Sequence, residues 1–268
     1  MRRAALLCSL VFLVAASPAK SHDRWDLGTL GNDDGPFSNP NELPHGASQV
    51  HDLEATGSPA DQDWFQVRVR ARHSYEARVS GSSLFWSSLG GPPCQAGFCA
   101  SLDRVDAGGV VLQDASMLEG GSHAVAVRWI TSTTAGALLR VTGTNGTALG
   151  TSDEYEFEFF DTTYAGPRFN NSATQTTVLI IQNLKDVSVA GSIDFYSVGG
   201  ALLHSEPLAL NAKGISVINT AALPGLAGQS GSVLVAQTGG YGALAGKAVA
   251  VEPATGFTFD TPLVSAPR

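Results

Sequence analysis

The sequence predicts an all-β protein built as two antiparallel β-sandwiches, and three observations carry that expectation. Apolar and polar residues alternate over short runs: Phe65, Val67, Val69 and Ala71 share one face, while Gln66, Arg68 and Arg70 share the other. No run shows a convincing helical period, and Gly-rich turns separate the runs at regular spacing. A polar, small-residue stretch from Gly143 to Thr151 divides them into two groups and places a linker at residues 144–153. With 268 residues and 43% apolar content, the chain is long enough to bury both cores.

Taken in order, the chain opens on Arg2 and Arg3, an apolar run from Ala4 to Ala16, and the small residues Ser17-Pro18-Ala19. That layout predicts a secretory signal peptide over residues 1–19, too short to span a bilayer, so the protein is expected outside the cytoplasm, extracellular or periplasmic, with no membrane span. The formal charge is −8, and losing Arg2 and Arg3 with the signal takes it to −10. An acidic surface without a basic run disfavours nucleic acid and anionic membranes as partners. Cys8 leaves with the signal. Cys94 and Cys99 then form a close pair in a Gly/Pro-rich loop, and in an exported chain an even count predicts a disulfide between them. A metal site is the rival, but it needs two further ligands and no paired His or Cys follows.

Residues 20–47 hold Gly31-Asn32-Asp33-Asp34-Gly35-Pro36 and Asn39-Pro40-Asn41-Glu42-Leu43-Pro44, turn formers without apolar periodicity, and read as an extended lead-in segment. The first sandwich is expected over residues 48–143. Gln49 to Ala55 is a first strand candidate. Asp61-Gln62-Asp63-Trp64-Phe65 then opens the strand described above, and its two carboxylates suggest either a cation site at the sandwich rim or a plain capped turn. In the next strand Tyr75, Ala77 and Val79 alternate with Ser74, Glu76 and Arg78, a core face against a wet one. The short link Ala71-Arg72-His73 predicts a tight hairpin between the two. Further candidates are Ser83 to Leu89, Gly109 to Leu112, Ser122 to Thr131 and Gly136 to Thr142.

The second sandwich is expected over residues 154–268. It starts on the clearest alternation in the chain, Tyr155, Phe157 and Phe159 inward against Glu154, Glu156 and Glu158 outward, the glutamates reading as a solvated sheet face. Candidates follow at Thr176 to Asn183, Val189 to Ser197, Leu202 to Leu210, Gly214 to Asn219, Gly231 to Gln237 and Ala243 to Val251, a count and length that suit an immunoglobulin-like sandwich.

Through Asp61-Gln62-Asp63-Trp64-Phe65, the alternating Val67 and Val69, and Ala71 to Tyr75, the first domain resembles the bacterial pre-peptidase C-terminal domain, a jelly-roll-like sandwich appended to many exported proteins. The resemblance covers roughly Asp26 to Gly143 and departs from the family where Arg72-His73 replaces its usual glycine. It implies a calcium site on Asp61 and Asp63, joined by Asp33, Asp34 or Glu42, since calcium takes about six to eight oxygen ligands. The second domain is similar to an uncharacterised β-sandwich of exported bacterial proteins, through Thr177 to Leu184, Ile193-Asp194-Phe195-Tyr196 and the tail Val251 to Phe259.

There is no Gly-x-Ser-x-Gly elbow, no His-Glu-x-x-His pair and no phosphate-binding loop. Trp64, Phe85 and Trp86 are candidate contacts for a sugar or protein ligand; the alternative is that they split between core and edge. The expected role is therefore a secreted, non-catalytic binding or accessory protein for extracellular protein or polysaccharide. The alternatives are a structural or secretion-assisting module without a specific ligand and, further off, a hydrolase of unrecognised type.

Overall fold

A computed structural model describes residues 41–53, 62–81, 85–86, 99–118, 124–144 and 154–266. They are almost wholly strand, and the helical element among them is a single 3-10 turn, Thr220–Ala222. The first sandwich comprises β1 (Asn41–Glu42), β2 (Ser48–Asp52), β3 (Gln62–Val69), β4 (Ser74–Ser80), β5 (Phe85–Trp86), β6 (Cys99–Val105), β7 (Val111–Asp114), β8 (Ser116–Met117), β9 (Ala124–Ile130), β10 (Ala135–Thr144) and β11 (Glu154–Asp161). One of its sheets runs β1-β3-β10-β6-β5, with β7 on β6, and the facing sheet runs β2-β11-β4-β9-β8. The second sandwich comprises β12 (Tyr164–Asn170), β13 (Thr176–Asn183), β14 (Val189–Ser197), β15 (Leu202–Leu210), β16 (Ile215–Asn219), β17 (Ser230–Gln237), β18 (Leu244–Glu252), β19 (Phe257–Pro262) and β20 (Val264–Ser265), in sheets β15-β14-β17-β12-β20 and β16-β13-β18-β19. Apart from the parallel pairs β1–β3 and β5–β6, the ladders are antiparallel.

Each sandwich has its own apolar core. Phe65 of β3 stacks on Phe157 of β11 with ring centroids 3.9 Å apart, and Val67, Tyr75, Val127, Leu139 and Phe159 close around them. In the second, Phe169, Leu179, Ile181, Ile193, Phe195 and Val235 are fully buried. The alternation read from the sequence thus reports real faces, but three expectations built on it need correction.

The first concerns Ala71-Arg72-His73. β3 pairs with β1 and β10, whereas β4 pairs with β11 and β9, so the link is a corner between sheets and not a hairpin. Arg72 sits in the left-handed region at φ +65, and its N–H donates to Thr131 O at 2.7 Å, anchoring the corner to the β9–β10 connection. Alternation tells which residues share a face and is silent on which strand lies alongside.

The second concerns the domain boundary. β11, expected to open the second sandwich, lies between β2 and β4 in the first. The cores therefore divide at Thr162-Thr163, between β11 and β12, and not across residues 144–153. The third is the wet face assigned to β4: Ser74 is buried against Thr162 and Thr163 of the connection, and Glu76 beneath Gly240 of the second sandwich. Among the described strands, the short β1, β8 and β20 and the longer β6, β12 and β19 were not anticipated from the sequence. β6 carries Asp103-Arg104 in mid-strand, and β12 is broken by Gly166-Pro167 with a register shift between Gly166 and Phe169, so neither alternates cleanly.

Candidate functional site

Of the residues proposed for calcium, Asp33, Asp34 and Asp61 lie outside the described residues, and Asp63 is not at a rim. It stands inside β3 with 1% exposure and accepts a hydrogen bond from the Tyr155 hydroxyl of the facing sheet. A cation ligand must be reachable and share its ion with other carboxylates, and this one is committed to the core. Among the described residues, no group of three or more His, Cys, Asp or Glu side chains converges as a metal centre.

Trp64 is also corrected. Its parity is opposite to Phe65, as the alternation requires, yet it is only 6% exposed. Arg140 of β10 lies directly across the ladder from it and holds its guanidinium 5.6 Å from the ring centroid, while Gly109 folds close to the ring edge. Arg140 also donates to Asp103 of β6 at 3.1 Å, so a row of Asp103, Arg140 and Trp64 crosses three strands. Burial pushes the Asp103 carboxyl above its ordinary value even with Arg140 beside it. The side chains of Phe85, Trp86 and Cys99, and the whole of Cys94, lie outside the described residues, which leaves the disulfide and the paired aromatics as expectations.

A dense polar network lies at the junction between the sandwiches, where the sequence suggested no site. Glu76 of β4 accepts from Arg128 Nε of β9 at 2.6 Å. Gly240 lies over this pair at φ +85, and a Cβ there would fall 2.0 Å from the Glu76 carboxylate, which is why the position takes glycine. Arg72 reaches Asp194 of the second sandwich at 3.1 Å, and Ser205 donates to the same oxygen at 2.5 Å. Gln237 Nε2 donates to the carbonyls of Thr162 and Gly240. Phe160 and Tyr241 meet with centroids 5.0 Å apart. The sequence signal that could have flagged this region was Arg128, the one charged residue in the otherwise apolar run of β9.

Asp161, at the hinge point between the cores, is held on several sides. His73 Nδ1 donates to its Oδ2 at 2.9 Å, Thr163 N–H donates to its Oδ1 at 3.0 Å, and its own N–H donates to His45 Nδ1 at 2.7 Å. Burial raises the carboxyl, but the hydrogen bonds from His73 and Thr163 outweigh it and leave the group below its ordinary value. A carboxylate with a depressed folded value adds stability above its unfolded value and loses it as pH falls through the folded one. Below about pH 4 the wild type should therefore lose melting temperature with a steeper slope than Asp161→Asn, whose melting temperature starts lower at neutral pH. Thermal melts by circular dichroism across that range read the difference, and equal slopes would refute it.

Beside this hinge opens a cleft of about 950 Å³. Its walls are the turn Leu43-Pro44-His45, the open end of β3 and the start of β10, with Gln66, Arg68 and Arg70 along one side and Tyr75 and Asp161 deeper in. Tyr75 accepts a hydrogen bond from Arg70 N–H at 2.7 Å, and burial pushes its phenol up to about 12, so it stays protonated. The volume lies in the roughly 300–1,000 Å³ range of ligand pockets. No helix among the described residues is long and apolar enough to cross a membrane. Comparison of the chain with protein-family models and with curated proteins finds no match.

Proposed function

We propose that the chain is an exported, non-catalytic binding or accessory protein for extracellular protein or polysaccharide, and that its ligand is met at this cleft of the first sandwich beside Asp161. The observation that carries this reading is how the polar groups around the cleft are employed. Asp161, His73 and His45 are tied to one another and to the hinge, whereas Gln66, Arg68 and Arg70 project from one face of β3 toward the opening. Arg68 meets Glu42 at 3.6 Å with both side chains largely in water, an interaction worth little. Arg70 has no carboxylate partner among the described residues. Guanidinium groups so placed suit bidentate bonds to carboxylates, whether on an acidic polysaccharide or on a protein side chain. Three buried carboxylates elsewhere are held by opposite charges, Glu76 by Arg128, Asp194 by Arg72 and Asp103 by Arg140, an arrangement that suits assembly more than turnover.

A second reading, a structural or secretion-assisting module without a specific ligand, is favoured by the covered ring of Trp64. Interferometry against a panel of acidic and neutral polysaccharides and extracellular proteins separates the two. On the binding reading, Arg68→Ala combined with Arg70→Ala weakens the interaction roughly 100-fold, two charge-assisted contacts of about 1.5 kcal/mol each. A wild type that binds nothing on the panel, or a double variant that binds as well as wild type, leaves the structural reading in its place.

A further inference from the structure

The edge of a β-sheet is a template for further pairing, and folds blunt it with proline, charge, brevity or cover. In the second sandwich three of the four edges carry such a device. β15 holds Glu206 and Pro207, β19 holds Asp260 and Pro262, and β20 is two residues long. The fourth, β16, reads Ile-Ser-Val-Ile-Asn, with neither charge nor proline. Its ladder partner is β13, and no other described strand pairs with its second side.

Register decides where the backbone of β16 points. Asn183 N–H donates to Gly214 O at 2.9 Å, in line with the pairing of Ile180 to Val217, so Gly214, Ser216 and Ile218 turn their backbone groups toward β13. Residues of an antiparallel strand alternate between its two sides, and Ile215 and Val217 therefore direct N–H and C=O to the open edge. Their side chains are exposed too, at 60% and 66%. On the same outer face lie the half-buried Val178, Ile180 and Val249, which extend the aliphatic surface across three strands.

We propose that β16 pairs with β16 of a second copy of the chain, in an antiparallel two-fold ladder centred on Val217. Val217 then meets its counterpart through two reciprocal backbone hydrogen bonds, Ile215 meets Asn219, and two four-stranded sheets become one continuous sheet. A second copy is the fitting occupant because the strand is self-complementary. Read against itself it sets no charge opposite a like charge, on a protein whose formal charge of −8 makes most other faces of two copies repel. Across the axis the β-branched side chains of the outer face stand beside one another, the pairing that stabilises sheets. Among the described strands of the second sandwich β16 is the one such edge, and a two-fold contact uses it on both copies, so the pairing closes at two copies instead of extending into a fibre.

Sedimentation velocity over a concentration series tests the proposal on the purified protein. The wild type should reach twice the mass of its own chain. Val217→Lys and Val217→Glu each set like charges opposite one another at the axis and should each sediment as monomers with an unchanged circular dichroism spectrum. Mixed together, the two variants should recover the dimer, since the residue pairs with itself. Ile215→Lys is a second disruptor with the same expected loss. A wild type that is monomeric throughout, a dimer that Val217→Lys leaves intact, or association that continues past two copies overturns the proposal.

Discussion

A chain ended between residues 153 and 154 should fail to form a folded first sandwich, although the sequence marks that stretch as the natural linker. The cut removes β11, which lies between β2 and β4 and supplies Tyr155, Phe157 and Phe159 to the first core. Losing one buried phenylalanine side chain costs about 3–5 kcal/mol, and a domain's whole stability is about 5–15 kcal/mol. Two phenylalanines and a tyrosine together exceed what the remainder can supply. Removing β11 also leaves the inner edges of β2 and β4 unpaired, and the Phe65 ring loses the partner stacked 3.9 Å away. The expected result is a fragment without near-ultraviolet circular dichroism and without a cooperative melt. A fragment extended through Thr163 keeps the first core whole and should melt cooperatively. Cooperative unfolding of the shorter fragment would show that the boundary has been drawn in the wrong place.

Arg128→Met should destabilise the protein by about 3–5 kcal/mol, because it strands the buried Glu76 carboxylate beneath Gly240 without its cation. The lost attraction is the smaller part of that cost, and the larger part is the desolvation of a charge that has nowhere to go. The double substitution Glu76→Gln with Arg128→Met should therefore cost less than the sum of the two single changes. Denaturant titration of the four proteins reads the coupling directly. Additive losses, or an Arg128→Met protein within about 1 kcal/mol of wild type, would mean that the junction does not depend on this pair.

The candidate site was legible only in part. Gln66, Arg68 and Arg70 were placed on one wet face by their alternation with Val67 and Val69, and that face borders the cleft. Asp63, read as a rim cation ligand, and Trp64, read as a contact for a sugar or protein ligand, are inside the fold because Tyr155 and Arg140 arrive from strands far away in sequence. Glu76 was read as solvated for the same reason: its wet face is dry only because another sandwich covers it.

The class of structure and the sidedness of most strands follow from the chain's own pattern of apolar and polar residues. Period-two alternation is a local property, and it survives whatever the strand later packs against. Tertiary structure alone decided partners. It set β3 and β4 in opposite sheets, moved β11 into the first core, paired Glu76 with Arg128 and Arg72 with Asp194, and left β16 as an unguarded edge. These outcomes depend on which surfaces meet after the chain has turned its corners. Neighbours in space were chosen by burial and charge pairing over separations of tens of residues, where no local pattern reaches.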